Sequence, residues 1–181
     1  MLETINFLEW EFEADSAATM QAHALRTAGY PELCNCAFCR SFIAARKLIY
    51  PEQFVELLTK LGIPKDYESL VYTYGEVEPR LFSYEGWFHF IGRVVKGPEI
   101  GIHFDDVNGH TINNFKIAFK SKPSDLNLVP ESFPDTNITQ IEFSTFTPWI
   151  LDEPLTTLTK TRRKDPRWSG WKRWNEYWPN V

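Results

Sequence analysis

Hydrophobic and polar residues alternate in several stretches of the 181-residue chain, and this alternation predicts most of its strands. Near the N-terminus, apolar side chains recur with a period of two over residues 5–12, which predicts one strand. Residues 87–95 are apolar on both faces and rich in rings and β-branched side chains, as is typical of a central strand. Residues 138–145 alternate again. Residues 146–149 are predicted to leave the sheet, because Pro148 cannot donate to a strand ladder.

Helical spacing replaces alternation between the first and second of these strands. Residues 37–49 place their apolar side chains on one stripe, and residues 51–61 carry apolar side chains at i, i+3, i+4 and i+7. Gly62 is well suited to end the second helix, since glycine adopts the left-handed conformation without strain. Shorter helices are predicted over residues 16–26 and around residues 66–73.

An Asn-Gly dipeptide between alternating segments is the strongest short-range signal for a hairpin in the sequence. Asn108-Gly109 predicts a two-residue type I′ turn. The resulting register places Ile100 opposite Ile117 and Ile102 opposite Phe115, so that two apolar rows coincide.

The order of these elements favours an α+β fold. An N-terminal strand and the C-terminal strands, including the hairpin at Asn108-Gly109, are predicted to form an antiparallel sheet with two or three helices packed on one face. The length fits one domain, which we assign to residues 1–159. Residues 160–181 form a basic, tryptophan-rich C-terminal tail or helix that is predicted to dock on this domain.

Charge divides the chain in the same way. The net charge is -5, but residues 160–181 contain seven Lys or Arg and two acidic residues, a local charge of +5, which leaves -10 on residues 1–159. An acidic body argues against general affinity for nucleic acid. No apolar run reaches the roughly 20 residues that span a bilayer, and the N-terminus lacks the basic and apolar regions of a secretory signal. A cytoplasmic location is therefore predicted.

All three cysteines lie in one short stretch, which is the best candidate for chemistry. Cys36 and Cys39 have the C-x2-C spacing of zinc ligands, and Cys34 lies two residues before Cys36. A fourth ligand would come from one of the four histidines, His23, His89, His103 or His110. Zn²⁺ is thus the candidate cofactor, with a structural role favoured over catalysis. Two alternatives are a redox-active dithiol at a helix start and an inert arrangement in which Cys39 is core and the other two are loop thiols.

A second group of polar side chains follows from the predicted hairpin register. His103, Asp105 and His110 would share one cross-strand neighbourhood on the polar face. Histidine and aspartate together can bind a metal or carry out acid–base chemistry. The competing interpretation, which the sequence favours, is an ordinary solvated strand face.

The tail combines aromatic and basic residues. Trp168, Trp171, Trp174 and Trp178 fall on one helical face together with Arg167. Such a face suits a protein interface, where Trp and Arg are enriched, single-stranded nucleic acid or a membrane surface. Packing of the tail against the body explains the same pattern, because four exposed tryptophans promote aggregation.

No catalytic motif stands out, since the chain lacks Walker A, G-x-G-x-x-G, H-E-x-x-H and G-x-S-x-G sequences. The sequence therefore favours a small intracellular protein-binding or regulatory module, not an enzyme, with a structural zinc site at the cysteine cluster. One alternative is a metal-dependent enzyme that uses the thiolates or the His/Asp group. A further alternative is nucleic-acid binding through the tail. The sequence does not indicate an oligomeric state.

Overall fold

A computed structural model describes residues 2–99, 109–135 and 137–152. These residues form an antiparallel sheet of seven strands together with four α-helices, which confirms the predicted α+β class. The elements in chain order are β1 Glu3–Phe7, β2 Trp10–Ala14, α1 Ser16–Ala24, α2 Tyr30–Cys34, α3 Ala37–Ile49, α4 Glu52–Lys60, β3 Leu70–Glu78, β4 Leu81–Lys96, β5 His110–Ile112, β6 Phe115–Lys120 and β7 Ile138–Pro148.

Strand β4 is the centre of the sheet. It has 16 residues, and its two halves pair with different neighbours. Its first half pairs with β3 and its last residues pair with β2, while β7 lies along its other edge. The strand order is β1-β2-β4-β7-β6-β5, with β3 off this path. As in any strand, successive β4 side chains face opposite sides of the sheet.

One face of the sheet carries the hydrophobic core, which is built largely from aromatic rings. Phe42 of α3 and Phe54 of α4 are fully buried, and so are Phe88 of β4 and Phe143 of β7. Tyr50, between α3 and α4, has its ring centroid 5.4 to 6.3 Å from those of all four. Helices α3 and α4 lie close to their predicted bounds, because their apolar stripes are the surfaces that pack on this face.

Gly62 ends α4 as predicted. Its φ of 75° is in the left-handed region. Its N–H donates to the Thr59 carbonyl at 3.1 Å, and the Ile63 N–H donates to the Leu58 carbonyl at 2.8 Å. These two bonds are those of a Schellman motif. A Cβ at Gly62 would lie 2.2 Å from the Ser16 carbonyl oxygen, so the position also sets the contact between α4 and α1.

Replacing Gly62 by alanine should therefore destabilise the fold by about 2 kcal/mol, because a strained φ and a steric clash coincide. Gly62→Asn separates the two causes, since asparagine tolerates the left-handed region but still carries a Cβ. We expect urea denaturation to show a smaller loss for asparagine than for alanine, and the loss that remains is the cost of the clash. A fully stable asparagine variant would show that the contact with Ser16 is unimportant.

Three predictions about the strands were wrong. Residues 5–12 form parts of two strands, β1 and β2, which are joined by a turn in which Leu8 has a φ of 52°. Residues 70–78 form strand β3 and not the end of a helix, because they pair with β4 from Leu70 opposite Trp87 onward. Residues 146–148 remain in the sheet, where Pro148 lies opposite Leu81 as the last residue of β7. At a strand end the missing proline N–H is tolerated.

The predicted hairpin register was also wrong. His110, and not Ile100, lies opposite Ile117, and Ile112, not Ile102, lies opposite Phe115. A turn at residues 113–114, where Asn113 has a φ of 56°, joins β5 to β6. The other edge of β6 pairs with β7, so both of its edges are occupied. Residues 100–108, which include Asn108, lie outside the described part.

Within the described residues, no helix is long and apolar enough to cross a membrane.

Candidate metal centre

The cysteine cluster is formed where the chain reverses direction between α2 and α3. Helix α2 ends at Cys34, and Asn35 adopts the left-handed conformation with a φ of 48°. Asparagine tolerates this conformation better than most residues. Cys36 is then the N-cap of α3, and Cys39 lies in the first turn of that helix. One left-handed residue thus brings the end of α2 close to the start of α3.

The three sulfur atoms converge. Each Sγ lies within 4.8 Å of the other two, and all three cysteines are free thiols. In a tetrahedral zinc site with Zn–S bonds of about 2.3 Å, the sulfur atoms are about 3.8 Å apart. A contraction of about 1 Å or less would therefore suffice to bind an ion. Cys34 and Cys36 are exposed and Cys39 is buried, so an ion could enter from solvent.

The surroundings shift the pKa values of Cys34 and Cys39 in opposite directions. A hydrogen bond from the Cys36 backbone N–H, followed by one from the Cys36 side chain, lowers the pKa of Cys34. Burial, followed by the neighbouring thiols, raises the pKa of Cys39 well above its usual value. The Cys36 side chain makes no capping hydrogen bond, so the α3 N-terminus still favours negative charge. The thiolate form is therefore favoured at Cys34 and disfavoured at Cys39, where burial is the main cause.

A buried ionic network holds the cluster in place. Arg46 of α3 donates to Glu32 of α2 at 2.7 Å and forms two bonds of 2.9 Å with the fully buried carboxylate of Glu68. The Tyr30 N–H, at the start of α2, donates to the Glu68 carbonyl at 2.9 Å. On the other side, the buried Tyr84 hydroxyl donates to the Phe38 carbonyl at 3.0 Å. These contacts fix α2 against the first turn of α3.

The three described histidines lie elsewhere, and none contributes a ring nitrogen to the group of three sulfurs. The Nε2–H of His23 donates to the His89 carbonyl oxygen at 3.1 Å. His89 itself lies between Ser69 and Gln140, at 2.8 and 3.2 Å. His110 pairs with Glu9 at 3.2 Å. Of the predicted fourth ligands, only His103 is not placed, because it lies outside the described residues.

Burial keeps His23 and His89 neutral. It lowers the pKa of His23 to about 4 and that of His89 to about 3. Below their usual pKa of about 6.5, the unfolded chain binds protons at these two rings that the native protein does not bind. Their contribution to stability is thus present above pH 6.5 and is lost as the pH falls towards 4.

Glutamine does not titrate, so in the His89→Gln variant neither the folded nor the unfolded chain binds a proton at residue 89. As the pH falls from 7 to 5, we expect the free energy of unfolding of the wild type to decline relative to that of the variant by up to about 1.4 kcal/mol per pH unit. Urea denaturation at several pH values measures this difference. Parallel curves for the two proteins would contradict a neutral, buried His89.

Two sequence predictions cannot be placed. His103 and Asp105 of the predicted polar cluster lie outside the described residues, while His110 is on β5 beside Glu9. The tail residues Arg167, Trp168, Trp171, Trp174 and Trp178 also lie outside them.

Comparisons with known proteins give no further guidance, because no protein-family model, curated protein or solved structure matches this chain.

Proposed function

We propose that Cys34, Cys36 and Cys39 bind a Zn²⁺ ion that braces the junction of α2 and α3. The proposal is carried by one observation, which is the convergence of three free sulfur atoms within 4.8 Å of one another. Thiolates are soft ligands that select zinc, Cu(I) or iron–sulfur clusters among biological metals. A tetrahedral zinc ion suits this geometry, since three of its four corners are already near their places.

The function that this site supports best is that of a small binding or regulatory module. Such a module would work in a reducing compartment such as the cytoplasm. Three free thiols, two of them exposed, persist as thiols only where reductants are present. In such a module the ion holds α2 and α3 in one arrangement, and a protein partner binds elsewhere on the surface. The tail residues Arg167 to Trp178 are the candidate partner surface from the sequence.

Zinc affinity and protein stability should be linked if this proposal is correct. The test compares the full chain, reduced and freed of metal, with the variant Cys34→Ser/Cys36→Ser/Cys39→Ser. At a free zinc concentration of about 100 times the Kd, the wild type should gain about 2.7 kcal/mol of stability, and the variant should gain none. Equal gains in both proteins would place any zinc elsewhere, and no gain in either would overturn the proposal.

A metal-dependent enzyme is the second candidate, and one observation favours it. Only three ligands are found among the described residues, which is the ligand number of catalytic zinc sites with an open position. Cobalt substitution distinguishes the two functions. If adding imidazole shifts the visible bands of the Co²⁺ protein, the fourth position is exchangeable and catalysis is favoured. Unchanged bands indicate a saturated structural site.

Binding of nucleic acid by the tail is the remaining alternative. The observation that supports it is that residues 160–181 carry a local charge of +5 and have four tryptophans among their basic residues. A single-stranded oligonucleotide should then bind with an affinity that falls steeply with added salt. Absent or salt-independent binding would leave the tail as a protein-binding surface.

A further inference from the structure

A second polar cluster lies on the sheet face opposite α3. Tyr84 of β4 points towards α3, so its neighbour Glu85 points to the other face, together with Trp87. Tyr72 of β3 lies opposite Glu85 in the register. The ladder between β3 and β4 shifts between residues 73 and 75, which makes Tyr74 an extra, bulged residue. Bulges of this kind re-aim side chains and are frequent beside functional sites.

Three aromatic rings lie together on this face beside Glu85. The Tyr72 ring centroid lies 5.2 Å from that of Tyr74 and 5.8 Å from that of Trp87, and both interplanar angles are 70°. Rings at steep angles form a corner and not a stack. Tyr74 is 42% exposed, so this residue is partly accessible from solvent. The faces of tyrosine and tryptophan rings attract cations within about 6 Å of the ring centroid.

Beside these rings lies a buried carboxyl group, one oxygen of which has no hydrogen-bond partner among the described residues. Glu85 is only 6% exposed, and its Oε2 accepts hydrogen bonds from the Tyr72 hydroxyl and, at 3.2 Å, from the Tyr74 hydroxyl. Its Oε1 is buried and has no hydrogen-bond partner among the described residues. The same holds for the Trp87 Nε1–H. Buried polar groups without partners are rare, so these two atoms mark a place on this face where a further group could bind.

The charges around Glu85 nearly balance. Glu142 of β7 disfavours its ionisation, and Lys116 of β6 favours it. Glu142 also binds Lys120 at 2.5 Å. Burial is the largest influence and raises the pKa of Glu85 to about 7, while the two tyrosine hydroxyls oppose the rise. Near neutral pH, a proton and an external cation would therefore compete for the same carboxylate.

We propose that Tyr72, Tyr74, Glu85 and Trp87 form a binding site for a primary or secondary alkylammonium group. The rings supply the cation–π surface, and Glu85 Oε1 accepts a hydrogen bond from the ammonium N–H. A quaternary ammonium lacks this N–H and would leave Oε1 unsatisfied. The ammonium group belongs either to a free amine or to a lysine side chain of a partner peptide. The site is separate from the cysteine cluster and does not depend on zinc.

Isothermal titration calorimetry on the full chain at pH 8 tests the site. The probes are butylammonium, tetramethylammonium and butyrate at matched ionic strength. Butylammonium should bind with a Kd in the millimolar range, tetramethylammonium more weakly, and butyrate not at all. Glu85→Gln should weaken butylammonium binding about tenfold or more, because the charge is lost and the shape is kept. Glu78→Gln, which alters an exposed carboxylate at the end of the neighbouring strand β3, should change nothing.

The pH dependence of the wild type is a second measurement that does not depend on the folding of a variant. Competition with a proton at a pKa of about 7 should make binding about tenfold tighter at pH 8 than at pH 6.

A blocked tripeptide with a central lysine distinguishes a free amine from a lysine side chain of a partner as the source of the ammonium group. Tighter binding of the peptide than of butylammonium supports a partner's lysine, and tighter binding of butylammonium supports a free amine.

Three results would overturn the proposal. They are no butylammonium binding up to about 10 mM, wild-type affinity in a folded Glu85→Gln protein, or a preference for butyrate over butylammonium.

Discussion

Replacing Cys36 by serine should weaken zinc binding on the order of 100-fold. Structural zinc sites in small domains bind with about 10–16 kcal/mol shared among four ligands, so one ligand contributes roughly 3 kcal/mol. Cys36 suits this test because it is exposed and is the N-cap of α3, where its side chain makes no capping bond. Serine is a preferred N-cap residue, so the metal-free fold should be kept or slightly stabilised.

Competition with a chromophoric chelator under reducing conditions measures this loss. Leu33→Ala is the matched control, because Leu33 precedes Cys34 and is 64% exposed. We expect Leu33→Ala to bind zinc like the wild type. If Cys36→Ser also bound like the wild type, Cys36 would not be a ligand. If the metal-free Cys36→Ser protein were unfolded, the thiol would be structural in its own right.

Replacing Arg46 by methionine should cost about 3–5 kcal/mol of stability at pH 8, because it leaves a buried carboxylate without its cation. Glu68 is fully buried, and burial raises its pKa to about 7, although Arg46 and then the Tyr50 hydroxyl lower it. A folded-state pKa above the unfolded value gives a contribution to stability that is present at low pH and lost as the pH rises through about 7. The destabilisation should therefore be smaller at pH 5, where Glu68 is neutral.

Urea denaturation at pH 5 and pH 8 measures this loss, and an exposed ion pair serves as the control. Arg93 binds Glu13 at 2.6 Å with its side chain 64% exposed, so Arg93→Met should cost less than about 1 kcal/mol. The double variant Arg46→Met/Glu68→Met should recover part of the loss, because neither charge is then buried alone. Equal losses for Arg46→Met and Arg93→Met would contradict the role of the buried network.

The helices could be predicted from the sequence because their signals are local. The stripe of residues 37–49 and the glycine at residue 62 are features of one segment, and both are found where they were predicted. The convergence of the three sulfurs also depends on a few consecutive residues. The fourth-ligand prediction was of a different kind, since the positions of His23 and His89 depend on how distant parts of the chain pack.

The hairpin register failed for a reason that is inherent in strand periodicity. The observed pairing shifts the partner of Ile117 from residue 100 to residue 110, which is an even number of positions. An even shift keeps each side chain on its face, so the match of apolar rows could not distinguish the two registers. Even the residue type opposite Phe115 is unchanged, because Ile112 takes the place of Ile102.

The aromatic corner around Glu85 was missed because β3 was predicted to begin as a helix. The alternation of Tyr72 and Tyr74 is a strand signal, but only pairing with β4 decides it, and that pairing is long-range. The unpaired Oε1 of Glu85 depends on burial and cannot be deduced from the residue type.

X-ray absorption spectroscopy of the zinc-loaded full chain tests the central claim most directly, because it measures the number and distance of the sulfur atoms bound to the metal. The account predicts three sulfur neighbours at about 2.3 Å and one nitrogen or oxygen at about 2.0–2.1 Å. A zinc ion with fewer than three sulfur neighbours would contradict it.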